Sequence, residues 1–201
     1  MVGYFTVCRR DSVRRTNRQD IFNMRVISGK FRGRKLVCPE GLDVRPTTDR
    51  VKENLFNLLQ FRIQDSVVLD LFSGSGALGI EAISRGAKEV WFADQSVKSI
   101  AYLKENLRNA EFEGGILTAD FRAALERLSG KKFDLIFLDP PYSKGLAEKA
   151  IEILVKNDML SSGGVMVYEH LAAEPYAPIS GIEIYDSRKY GQTELTLLRK
   201  A

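Results

Sequence analysis

The chain is poor in the residues that build metal centres and disulfide frameworks. In 201 residues it has one histidine, His170, and two cysteines, Cys8 and Cys38. One imidazole and two unclustered thiols supply no metal-ligand spacing, so no metal is expected. The cysteines are expected as reduced thiols in a cytoplasmic protein. Long apolar runs are also missing: none approaches the roughly 18 residues that a membrane-spanning helix needs, and no membrane association is expected. Arg9, Arg10, Arg14 and Arg15 stand where a secretory signal would carry its apolar stretch, and Asp11 and Asp20 count against an organelle transit peptide. Repeats and low-complexity tracts are absent. A monomer of one domain with a small appendage is the expectation for this length.

Charge is unevenly spread. Residues 1–50 hold 12 Lys+Arg against 5 Asp+Glu, while the remainder holds 18 against 21. A basic segment beside a slightly acidic body suits a polyanion docking at one end, and it equally suits a solvated basic surface.

Residues 1–23 have little periodicity and read as a basic tail. Residues 24–62 read as a small hairpin and helix. The stretch Met24-Arg-Val-Ile-Ser-Gly-Lys-Phe-Arg-Gly-Arg-Lys-Leu-Val37 carries two short strand-like runs around Gly29 and Gly33. Pro46-Thr-Thr-Asp49 is a helix start, and Val51, Leu55, Leu58 and Leu59 then follow at helical spacing, predicting an amphipathic helix over 49–62. From residue 63 to 201 strands and helices alternate. Strands are expected at Val67–Leu71, Glu89–Ala93, Gly115–Ala119, Phe133–Leu138 and Val165–Tyr168, with helices between them, one of them Gly145–Lys156. Such alternation predicts an α/β fold with a parallel sheet. Ile182–Asp186 and Glu194–Leu198 are joined by a connection too short for a helical crossover and should pair antiparallel. The expected architecture is a Rossmann-like, class I methyltransferase fold: a mostly parallel seven-stranded sheet with an antiparallel last strand, extended by an N-terminal β-hairpin and helix.

Asp70, Asp94, Asp120 and Asp139 each fall just after an apolar run, at intervals of 24, 26 and 19 residues. Ligands of doubly wound sheets bind beyond the carboxyl ends of the strands, so all four should border one crevice. Asp70-Leu-Phe-Ser-Gly-Ser-Gly-Ala-Leu-Gly79 places Gly74, Gly76 and Gly79 in a G-x-G-x-x-G turn where backbone can approach a ligand. Nicotinamide and flavin enzymes use the same spacing, and Asp94 would meet ribose hydroxyls in either case. Asp70 discriminates: a carboxylate at the mouth of the loop suits the cationic amino and sulfonium end of S-adenosylmethionine and repels a pyrophosphate. Asp120 could accept from an adenine amino group with Phe121 over the ring, although a capping Asp before a core Phe explains that pair better.

Asp139-Pro140-Pro141-Tyr142 directly follows the strand Phe133–Leu138. Two prolines stiffen the turn and fix the Pro140 carbonyl as an acceptor beside the Asp139 carboxylate, and Tyr142 offers a flat apolar face. An exocyclic base nitrogen is a poor nucleophile because its lone pair is delocalised into the ring. Two acceptors gripping its hydrogens free that pair, while stacking on Tyr142, worth about 1–3 kcal/mol, holds the base. A base inside paired structure would have to be flipped out. The motif serves the N6 amine of adenine equally well, so an adenine methyltransferase of DNA or RNA stays open. A non-catalytic RNA-binding protein with a relic pocket is a further alternative. A nicotinamide-dependent oxidoreductase would leave Asp70 and Asp139–Tyr142 without a role.

Three stretches resemble the RsmD-type methyltransferases, which modify guanine N2 in bacterial 16S ribosomal RNA. They are Met24–Leu36, Arg45-Pro-Thr-Thr-Asp-Arg-Val-Lys-Glu53, and Asp70–Gly79 together with Asp139–Tyr142; Lys189-Tyr-Gly-Gln-Thr193 is similar to the family's close. The resemblance runs from residue 24 to about 199. It implies S-adenosylmethionine as donor, held by Asp70, Ser73, Gly74, Gly76, Asp94 and Asp120, to which Phe121 is added as the candidate cover of the adenine ring. It further implies a target-base site of Asp139, Pro140, Pro141 and Tyr142, and a partner of ribosomal RNA within the small subunit or its precursor. Arg45, Arg50 and Lys52, with Arg32 and Arg34 of the base-rich hairpin, are expected to contact RNA phosphate or the active site. The family more often carries Glu where Asp94 stands, and its members begin near Met24. Residues 1–23 are therefore surplus, from an upstream start or as a basic RNA-binding arm, and are expected to be dispensable for catalysis. His170 matches no functional position and is expected to be structural.

Overall fold

A computed structural model describes residues 24–38, 49–108, 110–141, 145–174 and 176–201. The tail 1–23, Arg45 and Tyr142 lie outside them. After the N-terminal hairpin come α1 (Asp49–Leu58), β1 (Val67–Asp70), α2 (Ala77–Ser84), β2 (Glu89–Asp94), α3 (Val97–Asn106), β3 (Glu113–Thr118), α4 (Phe121–Arg127), β4 (Phe133–Leu138), α5 (Leu146–Lys156), β5 (Leu160–Leu171), β6 (Ile182–Tyr190) and β7 (Thr193–Lys200). The sheet order is β3-β2-β1-β4-β5-β7-β6, and β7 alone points opposite to the other six strands. This is the class I methyltransferase architecture expected above. Among the described residues no helix is long and apolar enough to cross a membrane.

Boundaries differ where polar residues extend an element or a turn tightens it. β5 begins at Leu160, five residues before the apolar run, because Leu160 already pairs with Phe133 across a register shift. α1 stops at Leu58, before the expected residue 62. There the backbone passes to i→i−3 bonds, Gln60 N–H to the Asn57 carbonyl and Arg62 N–H to the Leu59 carbonyl. The hairpin is slighter than two strands: a single antiparallel bridge joins Arg25 to Lys35, flanked by the Val26 N–H on the Arg34 carbonyl and the Leu36 N–H on the Met24 carbonyl.

Two apolar layers flank the sheet. On one face Val26, Leu36, Leu55, Phe56, Ile80 and Leu103 of the hairpin and α1–α3 pack on Val68, Phe92, Phe137 and Val167. On the other, α4 and α5 pack Leu125, Ala150, Ile151 and Leu154 against Leu69, Ile136 and Met166. The hairpin is fastened by polar groups of α2. Glu81, fully buried, accepts from the Ile27 N–H at 2.7 Å and the Ser28 N–H at 3.0 Å. It also meets Arg85 Nε at 2.8 Å and Lys52 Nζ at 3.5 Å. Ser84 Oγ accepts from the Phe31 N–H at 2.9 Å and donates to the Ser28 carbonyl at 2.5 Å. The backbone passes so close here that a Cβ on Gly29 would lie 1.8 Å from the Ser84 carbonyl oxygen, and φ at Gly29 is +82°.

Lys52 corrects an expectation. Its side chain is 1% exposed, paired with Glu81 and donating to the Arg25 carbonyl, so it faces the core and not RNA phosphate. Burial pulls its ammonium below the ordinary lysine value, opposed by the Glu81 charge. Removing one member of such a buried pair strands the other, at about 3–5 kcal/mol. Glu81→Ala, which also orphans two hairpin amides, is expected to cost that much in denaturant-induced unfolding. A loss below about 1 kcal/mol would mean that the hairpin is held by its apolar contacts alone.

Candidate active site

Parallel register decides which side chains meet at the carboxyl ends of the strands. Val90, Val68, Leu135 and Val165 lie side by side across β2-β1-β4-β5, and Phe92, Asp70, Phe137 and Val167 form the next row. Side chains of a strand return to the same face every second residue. Asp94, Asp139 and Glu169 therefore follow one row further on the same face. Apolar rows thus give way to carboxylates where the strands end, with Asp70 one row below the others.

Asp70 is 2% exposed, and its Oδ2 accepts from the Gly79 N–H at 2.9 Å. The carboxylate satisfies one of the otherwise orphaned amides in the first turn of α2, at the positive end of that helix. Burial, and secondarily the Asp94 charge, push its carboxyl up to about 7, against the Gly79 hydrogen bond, which lowers it. Asp94 holds the loop from the other side, accepting from the Gly74 N–H at 2.9 Å and the Ser96 N–H at 2.7 Å. The loop itself is closed by the Gly76 N–H on the Ser73 carbonyl at 2.7 Å.

The three glycines do different jobs. A Cβ on Gly74 (φ +53°) would meet nothing within 4 Å, so the backbone there borders open space. At Gly76 it would come within 2.3 Å of Leu103 Cδ1, and at Gly79 within 2.2 Å of Phe92 Cε1, so Gly76 lets the loop pack on α3 and Gly79 lets α2 pack on the sheet. Ser73 Oγ is buried and has no hydrogen-bond partner among the described residues. A lone buried hydroxyl beside an open glycine turn, bounded by Asp70 and Asp94, fits a ligand with polar and cationic groups such as S-adenosylmethionine. Asn106 ties this loop to the hairpin: its Nδ2 donates to the Ser75 carbonyl at 2.9 Å and the Val37 carbonyl at 2.8 Å, and its Oδ1 accepts from the Val37 N–H at 2.8 Å.

Asp139 and Pro140 follow β4 directly. Asp139 is half-buried and Pro140 buried, while Pro141 is exposed. Burial raises the Asp139 carboxyl well above the usual carboxylate range, and the neighbouring Glu169 and Asp70 charges add to it. The structure thus brings Asp70, Ser73, Gly74, Asp94, Asp139 and Pro140 to one edge of the sheet, and adds Glu169, which sequence reasoning passed over.

Asp120 and Phe121 stand apart in role. Asp120 Oδ1 caps α4, accepting from the Arg122 and Ala123 N–H groups at 2.9 and 3.3 Å. Phe121 is buried, 5.8 Å from the Phe72 ring, with the Arg122 guanidinium 4.5 Å away. The capping reading weighed above thus describes the pair's contacts here. His170 is buried, with Nε2 2.8 Å from Thr196 Oγ1 and Nδ1 3.0 Å from the Leu171 carbonyl, as a structural residue should be. Arg32 and Arg50 are exposed. Arg34 lies 4.4 Å over the Phe31 ring, and its Nη1 is buried without a hydrogen-bond partner among the described residues.

The family model described as "Conserved hypothetical protein 95" matches residues 24–199. The ribosomal RNA small subunit methyltransferase D of Haemophilus influenzae is 40% identical over 150 residues, covering 73% of this chain and 78% of that protein. The chain belongs to the family of these methyltransferases. Bacillus subtilis YlbH, named as a candidate rRNA methyltransferase, is 37% identical over 183 residues, covering 88% of this chain and 99% of that one. The solved structure of the Escherichia coli candidate methyltransferase yhhF superposes with a TM-score of 0.78 at 34% identity, over 88% of this chain and 97% of its own.

Asp70 couples this site to stability. Between the ordinary carboxylate value near 3.9 and about 7, the unfolded chain has released a proton that the folded one keeps. Stability therefore falls as pH rises through that window. Asp70→Asn retains an oxygen for the Gly79 N–H and removes the titration. It is expected to melt higher than the unaltered protein at pH 8, by roughly 2–4 °C per kcal/mol relieved, with the gain vanishing at pH 4. An equal shift at both pH values would show that the buried charge is not its source.

Proposed function

We propose that this protein is an S-adenosylmethionine-dependent methyltransferase that acts on the exocyclic N2 amine of a guanine in small-subunit ribosomal RNA. The observation that carries the reading is the end of β4, where Asp139 and Pro140 stand one strand away from the Ser73–Gly74 turn. S-adenosylmethionine, when bound, supplies a methyl group activated by a sulfonium. Asp70 and Asp94 offer negative charge and hydroxyl-accepting oxygens around that donor, and Ser73 Oγ offers a further hydrogen bond. The Asp139 carboxylate and the Pro140 carbonyl accept the two amino hydrogens of the target, which draws the nitrogen lone pair out of conjugation. Orientation of amine against donor supplies most of the rate, and Tyr142 is assigned as the platform under the base.

Membership of the family supports ribosomal RNA as substrate, since several relatives are named for that activity. The exposed Arg32 and Arg50 are assigned to the RNA backbone, with the half-buried Arg34 and with Arg45. Small-subunit RNA from cells lacking this protein is expected to accept labelled methyl from it at one guanine. Mapping the label to an adenine would favour an N6 methyltransferase instead. Asp139→Ala is expected to abolish transfer while donor binding, followed by calorimetry, stays within about threefold; transfer at the unaltered rate would remove Asp139 from the mechanism. Affinity for the small subunit should fall steeply with salt, and Arg32→Ala and Arg50→Ala should each reduce the slope by about 1. A flat salt profile would discredit this face as the docking surface.

A further inference from the structure

Glu169 is the one carboxylate of the strand-end row with no place in the reading above. It lies within β5, 4% exposed, between two aromatic residues whose side chains point to the opposite face. The β4–β5 register runs to Leu138 paired with Tyr168, and Asp139 and Glu169 are the residues that come next on the two chains, close enough for the Glu169 charge to act on Asp139. Two carboxylates adjacent in a region of low water content cannot ionise independently.

We propose that Glu169 is a positioning residue for methyl transfer: it acts through Asp139, making that carboxylate basic enough to take the proton that the target amine must lose. This rests on the methyltransferase reading. In the step concerned the N–C bond to the methyl group forms as the C–S bond of S-adenosylmethionine breaks. The nitrogen becomes cationic, and one of its protons passes to Asp139, whose negative charge it cancels; S-adenosylhomocysteine leaves with the sulfur lone pair. An isolated carboxylate titrating near 3.9 is a weak acceptor for that proton, and a proton acceptor works best when its pKa approaches the working pH. Among the described residues, the groups facing Asp139 are Glu169 from β5 and Asp70 from β1, with Asp94 of β2 beyond Asp70. The cations that α1 and α2 bring to this layer, Lys52 and Arg85, are both engaged by Glu81. Among the described residues the charges that act on Asp139 are of its own sign, Glu169 the larger and Asp70 the smaller.

Two measurements decide the matter, made on the full chain with Glu169→Gln and the charge-conserving Glu169→Asp. Carboxylate carbon NMR follows the titration of Asp139 without any turnover. Its midpoint is expected to fall by about one pH unit in Glu169→Gln and to return towards the original in Glu169→Asp. Single-turnover methylation of undermethylated small subunits is expected to show an acid limb that moves to lower pH by the same amount in Glu169→Gln, with a reduced plateau. Donor affinity should be unchanged. An unmoved NMR midpoint overturns the coupling, and a moved midpoint with an unmoved acid limb overturns its use in the reaction. A plateau that drops with no shift of the limb marks Glu169 as merely structural. Failure of the unaltered protein to methylate would sink the methyltransferase reading itself, and the NMR comparison tells that failure apart because it needs no substrate.

Discussion

The parallel register of β2, β1, β4 and β5 is the constraint from which the rest follows. Because neighbouring strands are aligned residue for residue, the point at which apolar side chains stop is shared, and whatever comes next is gathered into one row. Here what comes next is acidic. The core below excludes water and so raises the cost of each charge, while the helix N-terminus and turn amides above repay part of it through the Gly79 and Gly74 N–H groups. Asp70 and Asp139 are left poorly compensated. An electron-rich rim of that kind has low affinity for anions and high affinity for cations and N–H donors, which is the polarity that a sulfonium donor and an amino group require.

A second consequence concerns the hairpin. It is no loose appendage: Val26 and Leu36 enter the same apolar layer as α1–α3, and Glu81 and Ser84 fasten its backbone to α2. The polar fastening relies on Glu81 being satisfied on every side, by two amides, a guanidinium and an ammonium. A buried carboxylate with four partners is costly to assemble and costlier to break in part, so the hairpin docks in one position only.

Much of this was readable in advance, and the reasons for the rest are specific. Asp70, Asp94 and Asp139 each announce themselves as an acid ending an apolar run, and the same rule applied to Val165–Tyr168 would have reached Glu169 at the fifth strand. Lys52 was assigned with Arg45 and Arg50 because all three stand in the stretch Arg45–Glu53, whose resemblance does not tell which way each side chain faces. Yet Lys52, Leu55, Phe56 and Leu59 stand at i, i+3, i+4 and i+7, which places the lysine on the buried stripe of its helix. Glu81 sits likewise in the middle of an apolar helix; Arg85, four residues on, is a partner that spacing shows, whereas Lys52 and the hairpin amides come from elsewhere in the chain. Asn106, at the last turn of α3, carries no local signal, because its partners Val37 and Ser75 lie 69 and 31 residues away. Gly76 and Gly79 belong to a ligand-loop motif by spacing, whereas the space around them shows that Leu103 and Phe92 are what forbid a side chain there.

The fastening of the hairpin has one more property. Among the described residues, every polar group by which α2 and Asn106 grip it belongs to its main chain: the amides of Ile27, Ser28, Lys30, Phe31 and Val37, and the carbonyls of Ser28 and Val37. Such a mount is blind to spelling. With Gly29 kept, and Val26 and Leu36 left to fill the layer beneath, the outward side chains are free to drift, and related proteins could re-letter the face they show to their substrates without disturbing the bracket that carries it.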